Sequence, residues 1–166
     1  MRNILKKILP TFFNNLLYRV YIKIIKIYPK YFSSQNFWNE NIVDSPKTGF
    51  KSIKDSLSHL EWRNNQYIDS TKYILMDNLN NKTVLDYGCG PGNDLVNISV
   101  LSKPKRLLAV DVSEEAIKRA QHRTNLHNLD VDFLKINENQ KIHAIDDNSL
   151  DVIHSNGVLH HIEDLE

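Results

Sequence analysis

Residues 83–92 join a short strand pattern to a turn that contains three of the five glycines in the chain. The strand pattern includes Val84 and Leu85 and has the length of a buried strand. The glycines follow at alternate positions, Gly88, Gly90 and Gly92. Glycine permits a left-handed turn and lets a ligand approach the backbone closely. This arrangement is typical of a parallel α/β sheet with a ligand site at the carboxyl end of the strand.

Strand and helix patterns alternate on both sides of this turn. A helix follows Gly92, with Asn93 or Asp94 as its expected cap, and Ser113 is expected to cap another. Further strands are predicted at 106–111, 131–136 and 150–154, and helices at 53–62 and 67–79. Strands that alternate with helices form β-α-β units with right-handed crossovers. We therefore predict an α/β fold with an open parallel sheet and N-terminal helices.

Charge divides the chain into unequal parts. Residues 1–31 contain seven lysines and arginines and no acid, so the remaining residues carry a net charge of −6 within a total of +1. The apolar residues of this basic segment recur at near-helical spacing. We predict a basic amphipathic helical extension at 1–31, a connecting segment with N-terminal helices at 32–80, and the sheet domain at 81–166. The extension is expected either to pack on the domain or to contact an anionic membrane surface or a partner.

Composition excludes several classes of protein. The chain is 41% apolar and 25% charged, which is typical of a folded globular protein rather than a disordered one. Its single cysteine, Cys89, excludes a disulfide framework and fits a reducing compartment. The sequence contains no run of 18 apolar residues. We expect a cytoplasmic protein, with residues 1–31 as a candidate for peripheral contact at the inner membrane surface.

The spacing of glycines and acids bears on the ligand. A dinucleotide fingerprint reads Gly-x-Gly-x-x-Gly, whereas Asn93 occupies the sixth position here. Asp86, two residues before Gly88, would repel a pyrophosphate but suits a ligand with an ammonium group. Asp111 ends the second predicted strand, where an acid accepts hydrogen bonds from ribose hydroxyls, although it can also serve as a helix cap. Asp111 alone fits either an NAD-type cofactor or another adenosyl ligand.

Two segments resemble a known family. Residues 84–92 (VLDYGCGPG) resemble motif I of class I S-adenosylmethionine-dependent methyltransferases of the type 11-like group, and residues 148–161 (NSLDVIHSNGVLHH) are similar to the fourth-strand motif of the same proteins. The resemblance runs from about Asn81 to the end of the chain. It implies a Rossmann-like open parallel sheet, of which this chain holds the first four strands of seven. We expect a truncated chain whose fourth strand leaves an open edge available for self-association.

The resemblance also assigns the residues of the site. The acid at the end of the first strand and the glycine turn would hold the amino-acid part of S-adenosylmethionine. Asp111 would hold the ribose, and Val112 would pack on the adenine. Asn137, with Asn139 as a competing alignment, stands where the family has an aspartate that binds the adenine amine. The cofactor-binding candidates are Asp86, Gly88, Cys89, Gly90, Gly92, Asp111, Val112, Asn137, Ser155 and Asn156, with Gly157 beside the last two.

Histidines after the fourth strand are the candidates for chemistry. His161, with His160 second, is a candidate general base near the transferred methyl group, and the alternative is that either only shapes the pocket. These adjacent residues are expected to point in different directions, and no metal site is predicted because no carboxylate or thiolate cluster accompanies them. We interpret Cys89 as a small residue in a tight turn rather than as a nucleophile.

The predicted function is methyl transfer from S-adenosylmethionine, by in-line displacement, to an unidentified acceptor. A small molecule, lipid or glycan is expected rather than a nucleic acid. The alternative is a non-catalytic truncated fragment that associates with a membrane or a partner chain. A third interpretation, an NAD-dependent oxidoreductase, is disfavoured by Asn93 at the third-glycine position.

Overall fold

A four-stranded parallel sheet flanked by helices forms the centre of the protein. The computed structural model describes residue 20 and residues 34–66, 78–137 and 142–162. Of the predicted extension at 1–31 only Val20 is described, and most of the predicted helix at 67–79 lies outside the described residues. In chain order the described elements are α1 (Ser34–Glu40), α2 (Ile53–Asn64), β1 (Thr83–Tyr87), α3 (Asn93–Leu101), β2 (Arg106–Asp111), α4 (Glu114–Leu126), β3 (Asp132–Lys135), β4 (Val152–His154) and a 3-10 turn (Leu159–His161).

The strands lie in the order β3-β2-β1-β4, and each neighbouring pair is parallel. In the register, Asp86 of β1 lies opposite Ala109 of β2 on one side and opposite His154 of β4 on the other. The chain proceeds outward from β1 to β2 and β3 and then returns to the far side of β1. Strand order therefore reverses beside β1, which is where ligands bind in open parallel sheets. This topology confirms the predicted Rossmann-like α/β fold.

Both faces of the two central strands are covered. One apolar cluster packs the strands against α3 and α4, and a smaller one lies on the opposite face. Central strands of a parallel sheet are buried on both faces, which explains why β1 and β2 read as continuous apolar runs. The first cluster contains Leu79, Val84, Cys89, Leu95, Ile98, Leu107, Ala109 and Ala120, and the second contains Leu85, Leu108 and Val110.

Serine hydroxyls begin two of the helices. Ser52 caps α2 by accepting a hydrogen bond from the Asp55 backbone N–H, and Ser113 caps α4 in the same way through Ala116. The prediction for α4 is therefore confirmed. In the described part of the chain no helix is both long and apolar enough to cross a bilayer.

The prediction that Asn93 or Asp94 caps α3 is wrong. The cap is Gly92, which adopts the left-handed conformation (φ 80°) and makes no side-chain cap bond. Asn93 and Asp94 lie in the first helical turn, and their side chains serve other partners. Asn93 accepts a hydrogen bond from the buried Arg123 guanidinium and donates one to the Asp44 carbonyl. These two residue types commonly cap helices, but here their side chains form hydrogen bonds with distant parts of the chain instead.

Candidate functional site

The glycine turn after β1 is held against β2 by its own backbone. The N–H groups of Gly88 and Cys89 both donate to the Val110 carbonyl, at 2.9 and 3.0 Å. A Cβ added to Gly90 would meet no atom within 4 Å, so the backbone there borders open space. A Cβ on Gly88 would instead overlap the side chain of Val158, which packs against that backbone. Room for a ligand is therefore found at Gly90.

Asp86 is a buried acid with an unused oxygen. It is 2% exposed, and its Oδ2 atom has no hydrogen-bond partner among the described residues. Burial, followed by the negative charge of Asp94, raises the pKa of Asp86 to about 7. A carboxyl group in this state gains a partner and ionises when a cation approaches it. Asp86 therefore has the chemistry of a binding group for an ammonium ion.

Asp111 ties the glycine turn to the start of α4. One of its carboxylate oxygens accepts a hydrogen bond from the Gly90 N–H and the other from the Ser113 N–H, both at 2.8 Å. Burial raises the pKa of Asp111, although these backbone hydrogen bonds oppose the shift. Each oxygen of a carboxylate can accept two hydrogen bonds, so capacity remains for donors from a ligand. Its predicted ribose-binding role and its contact with the α4 cap are therefore compatible.

A polar cluster centred on Asp94 lies behind the glycine turn. Its carboxylate accepts hydrogen bonds from Arg63 of α2 at 2.7 Å, from His154 of β4 at 3.1 Å and from Asn156 at 3.1 Å. Burial alone would raise the pKa of Asp94, but the hydrogen bond from His154 and the Arg63 guanidinium outweigh it and lower the pKa to about 2. Sequence reasoning missed this cluster because its partners are distant in sequence and follow no local pattern.

His154 is the titratable partner of Asp94 in this cluster. Burial lowers the pKa of His154, but the hydrogen bond to Asp94 and the negative charges of Asp86 and Asp94 raise it above its ordinary value. The imidazole at the end of β4 is therefore biased toward its charged form. The acid at the end of β1, Asp86, is influenced by two positive groups, His154 and Arg63, and by two negative ones, Asp94 and Asp111.

The segment after β4 returns to the glycine turn. Ser155 Oγ donates to the Tyr87 carbonyl at 3.1 Å, which joins the ends of β4 and β1. The rings of His160 and His161 lie 3.9 Å apart between centroids, so the expectation that they point in different directions is wrong. In a turn of three residues, consecutive side chains are separated by about 120°, and two long side chains can still lean together. Among the described residues no group of three His, Cys, Asp or Glu is placed to hold a metal ion.

Helix α1 reaches across this edge of the sheet. The Asn39 side-chain oxygen accepts hydrogen bonds from Ser113 Oγ at 2.9 Å and from the Glu115 N–H at 3.3 Å. The Trp38 ring meets the His161 ring edge-on, with centroids 4.9 Å apart. The helix thus connects the end of β2 with the turn after β4, on the side where the glycine turn lies.

The structure places the remaining predicted residues at the same edge. Val112 follows Asp111 and is half-buried, and exposed Asn137 comes just after β3. Asn139 lies outside the described residues. Burial, followed by the charge of Asp86, raises the pKa of the Cys89 thiol well above its ordinary value, which favours the packing interpretation over a nucleophile. The ligand contacts of all these residues stay predictions.

A cavity of about 320 Å³ lies elsewhere on the protein. It is found at the opposite edge of the sheet, where the strands begin, and its walls include Lys103, Arg106 and Asp132. Arg106 and Asp132 are paired there at 2.7 Å. Neither the glycine turn nor Asp86 and Asp111 contribute to this cavity. It is therefore separate from the site at the carboxyl ends of the strands.

A β3-β2-β1-β4 sheet with a glycine turn after β1 and acids at the ends of β1 and β2 defines a Rossmann-like nucleotide-binding domain. A family model described as methyltransferase domain matches residues 78–166. The chain belongs to this methyltransferase domain family. The predicted resemblance to class I methyltransferases is confirmed, and so, for this class, is S-adenosylmethionine as the cofactor.

Two solved structures share this fold, and one further protein is similar in sequence. An S-adenosylmethionine-dependent methyltransferase from Aquifex aeolicus is 25% identical with a TM-score of 0.51, and the match covers 64% of this chain and 60% of that one. A methyltransferase structure from Methanococcus maripaludis, described as putative, is 21% identical with a TM-score of 0.52, covering 73% and 57%. An uncharacterized 37.1 kDa protein in a Streptomyces fradiae transposon is 30% identical over 121 residues. That match covers 68% of this chain but only 33% of the relative.

Proposed function

We propose that this chain binds S-adenosylmethionine at the carboxyl ends of β1 and β2 and acts in the transfer of its methyl group to an acceptor. The observation that carries the proposal is the buried Oδ2 atom of Asp86, which has no partner among the described residues and belongs to the strand that leads into the glycine turn with its open backbone at Gly90. An unsatisfied buried acceptor is costly, so a site that keeps one is adapted to a ligand that supplies a donor.

The residues fit the chemical groups of this cofactor. Asp86 offers an acceptor for its ammonium group, and Asp111 retains acceptor capacity for its ribose hydroxyls. Val112 and Asn137 follow β2 and β3 at the same edge and are proposed to border the adenine. Val158 fills the space at Gly88, so a ligand that approaches this glycine requires the Val158 side chain to move.

The protein contributes mainly alignment to this reaction. When bound, S-adenosylmethionine supplies a methyl group that its sulfonium already activates. Holding the acceptor in line with that group contributes roughly 7–11 kcal/mol in well-oriented reactions. A base is required only if the acceptor must lose a proton, and His161 is proposed for that role, with His160 second. The turn that carries both histidines begins at Leu159, directly after Val158, whose side chain packs against the backbone of Gly88 in the glycine turn.

The acceptor is proposed to be a small molecule, a lipid or a glycan. Phe37 is 55% exposed and stacks edge-on against Trp38, which in turn meets His161. A half-buried ring beside the candidate base, with an exposed ring next to it, supports an acceptor with an apolar or planar part. We also propose a cytoplasmic location, in which the basic segment 1–31 contacts the membrane surface.

Calorimetric titration of S-adenosylmethionine and S-adenosylhomocysteine into the purified chain tests the proposal. We expect saturable binding of both, lost on Asp111→Ala, because this variant removes the ribose acceptor and the link to Gly90. Asp132→Asn is the matched control, since it removes an exposed carboxylate from an ion pair at the opposite edge of the sheet. Binding that survives Asp111→Ala, or a preference for NAD over S-adenosylmethionine, would contradict the assignment.

A further inference from the structure

We propose that Asp94 is a positioning residue, which holds the segment after β4 against the glycine turn and thereby fixes the acceptor side of the site relative to the cofactor side. This inference rests on the proposed function. It concerns a residue that no motif in the sequence distinguishes from an ordinary helix cap.

The location of Asp94 links it to the cofactor side. It is the second residue of α3 and follows Gly92, the last glycine of the turn, by two positions. It is only 7% exposed, and its helix packs in the main apolar cluster through Leu95 and Ile98. Its carboxylate is therefore buried in the packed helix that directly follows the glycine turn.

The contacts of Asp94 link it to the acceptor side. Its Oδ2 atom accepts from His154, the last residue of β4, and from Asn156, two residues further on, each at 3.1 Å. The Arg63 guanidinium of α2 donates a hydrogen bond to each carboxylate oxygen, at 2.7 and 3.4 Å, and so fixes the orientation of the carboxylate. Two parts of the chain that are distant in sequence, α2 and the segment at the end of β4, thus converge on one carboxylate of α3.

The segment held by these contacts is the one that leads to the candidate base. Ser155 donates a hydrogen bond to the end of β1, and Asn156 donates one to Asp94. Val158 then packs on Gly88, and the turn with the two histidines follows. Without the Asp94 contact, the chain between Ser155 and Val158 keeps one side-chain anchor fewer. A buried ion pair adds little net stability compared with apolar packing, so stability alone does not account for the cluster.

Asp94 also acts on Asp86 through its charge. The charged groups that influence Asp86 are Asp94 of α3, His154 of β4, Asp111 of β2 and Arg63 of α2. After burial, Asp94 contributes most to keeping Asp86 protonated. Replacing Asp94 with Asn removes this negative charge, so Asp86 ionises at lower pH. The pH dependence of cofactor affinity is therefore a readout that packing alone would not move.

A double-mutant cycle on affinity tests the inference, with S-adenosylhomocysteine as the probe. The variants are Asp94→Asn, Asn156→Ala and the double substitution, with Asp132→Asn as control, titrated below their unfolding temperatures. We expect each single substitution to weaken binding by about tenfold, and the double substitution to be no weaker than Asp94→Asn, because the residues act through one contact. The pH midpoint of binding should shift downward in Asp94→Asn only.

The outcomes separate this inference from the proposed function. If the unchanged chain binds the probe but the two effects multiply, the positioning role is wrong and cofactor binding stands. If the pH midpoint stays in place in Asp94→Asn, the charge effect of Asp94 on Asp86 is wrong. If the unchanged chain does not bind, the proposed function fails and the positioning role with it. If Asp94→Asn does not fold, Asn156→Ala decides: amide exchange at 155–158 should become faster, and unchanged exchange with unchanged affinity overturns the inference.

Discussion

Asp86→Asn should make the protein more stable at neutral and alkaline pH while removing its cofactor affinity. The perturbation replaces a buried carboxyl group by an amide of nearly the same shape, which has no proton to lose. In the folded chain the pKa of Asp86 is raised from 3.8 to about 7, first by burial and then by the charge of Asp94. Between these two pKa values the folded chain therefore keeps a proton on Asp86 that the unfolded chain has released.

The sign and size of the effect follow from this difference. An acid whose pKa is raised on folding stabilises the protein fully below its unfolded value, and this contribution is lost as the pH rises toward the folded value. About three pH units at 1.36 kcal/mol each give a loss on the order of 4 kcal/mol between pH 4 and pH 7. Asp86→Asn does not incur this loss, although its amide must find partners of its own.

Urea unfolding of both proteins at intervals from pH 4 to pH 8 measures the effect. The difference in free energy of unfolding should change steadily in favour of the variant up to about pH 7 and then level off. Taking the difference cancels the titration of groups common to both proteins, to the extent that the substitution leaves their pKa values unchanged. A difference that does not vary with pH would refute the argument that Asp86 is protonated in the free protein.

Three further predictions concern the same site. Below pH 7, S-adenosylhomocysteine binding should release a proton from Asp86, so the apparent binding enthalpy should differ between buffers of different ionisation enthalpy. Equal apparent enthalpies would show that no proton is released. Gly90→Ala should destabilise the chain by about 1 kcal/mol, because the φ of this residue is 51°, and a melting curve measures that loss. The same substitution should have a larger effect on the free energy of cofactor binding, because the new Cβ enters the open space beside the backbone, and a titration measures it. Asn39→Ala should accelerate amide exchange across α1 and weaken binding, since Ser113 and Glu115 lose their acceptor; unchanged exchange there would show that this contact does not hold the helix.

The succession of strands and helices along the chain and the position of the site could be predicted from local patterns. The apolar runs of β1 and β2, the glycines between β1 and α3, and Ser113 before α4 each act within a few residues. The ends of β3 and β4 were less predictable, since both are shorter than the patterns at 131–136 and 150–154 suggested. These are the two outer strands among the described residues, and pairing on one side only limits their ladders.

Whether the role of each acid could be predicted depended on how far away its partners lie in the sequence. Asp111 and Ser113 are two residues apart, so the polar start of α4 could be inferred directly. Asp94 looked like a cap because its three partners lie from 31 to 62 residues away, and nothing local distinguishes a cap from the centre of a buried cluster. The packing of Val158 on Gly88 was equally hidden, since 70 residues separate them.

The amino-acid sequence by itself determined that a glycine turn and two acids stand at the ends of adjacent parallel strands, because hydrophobic periodicity and glycine placement are local properties. Tertiary structure alone decided the chemical state of those acids. Burial in the sheet raises the pKa of Asp86, and convergence of Arg63, His154 and Asn156 lowers that of Asp94. Such shifts depend on desolvation and on charges brought together through space, which the order of residues does not reveal.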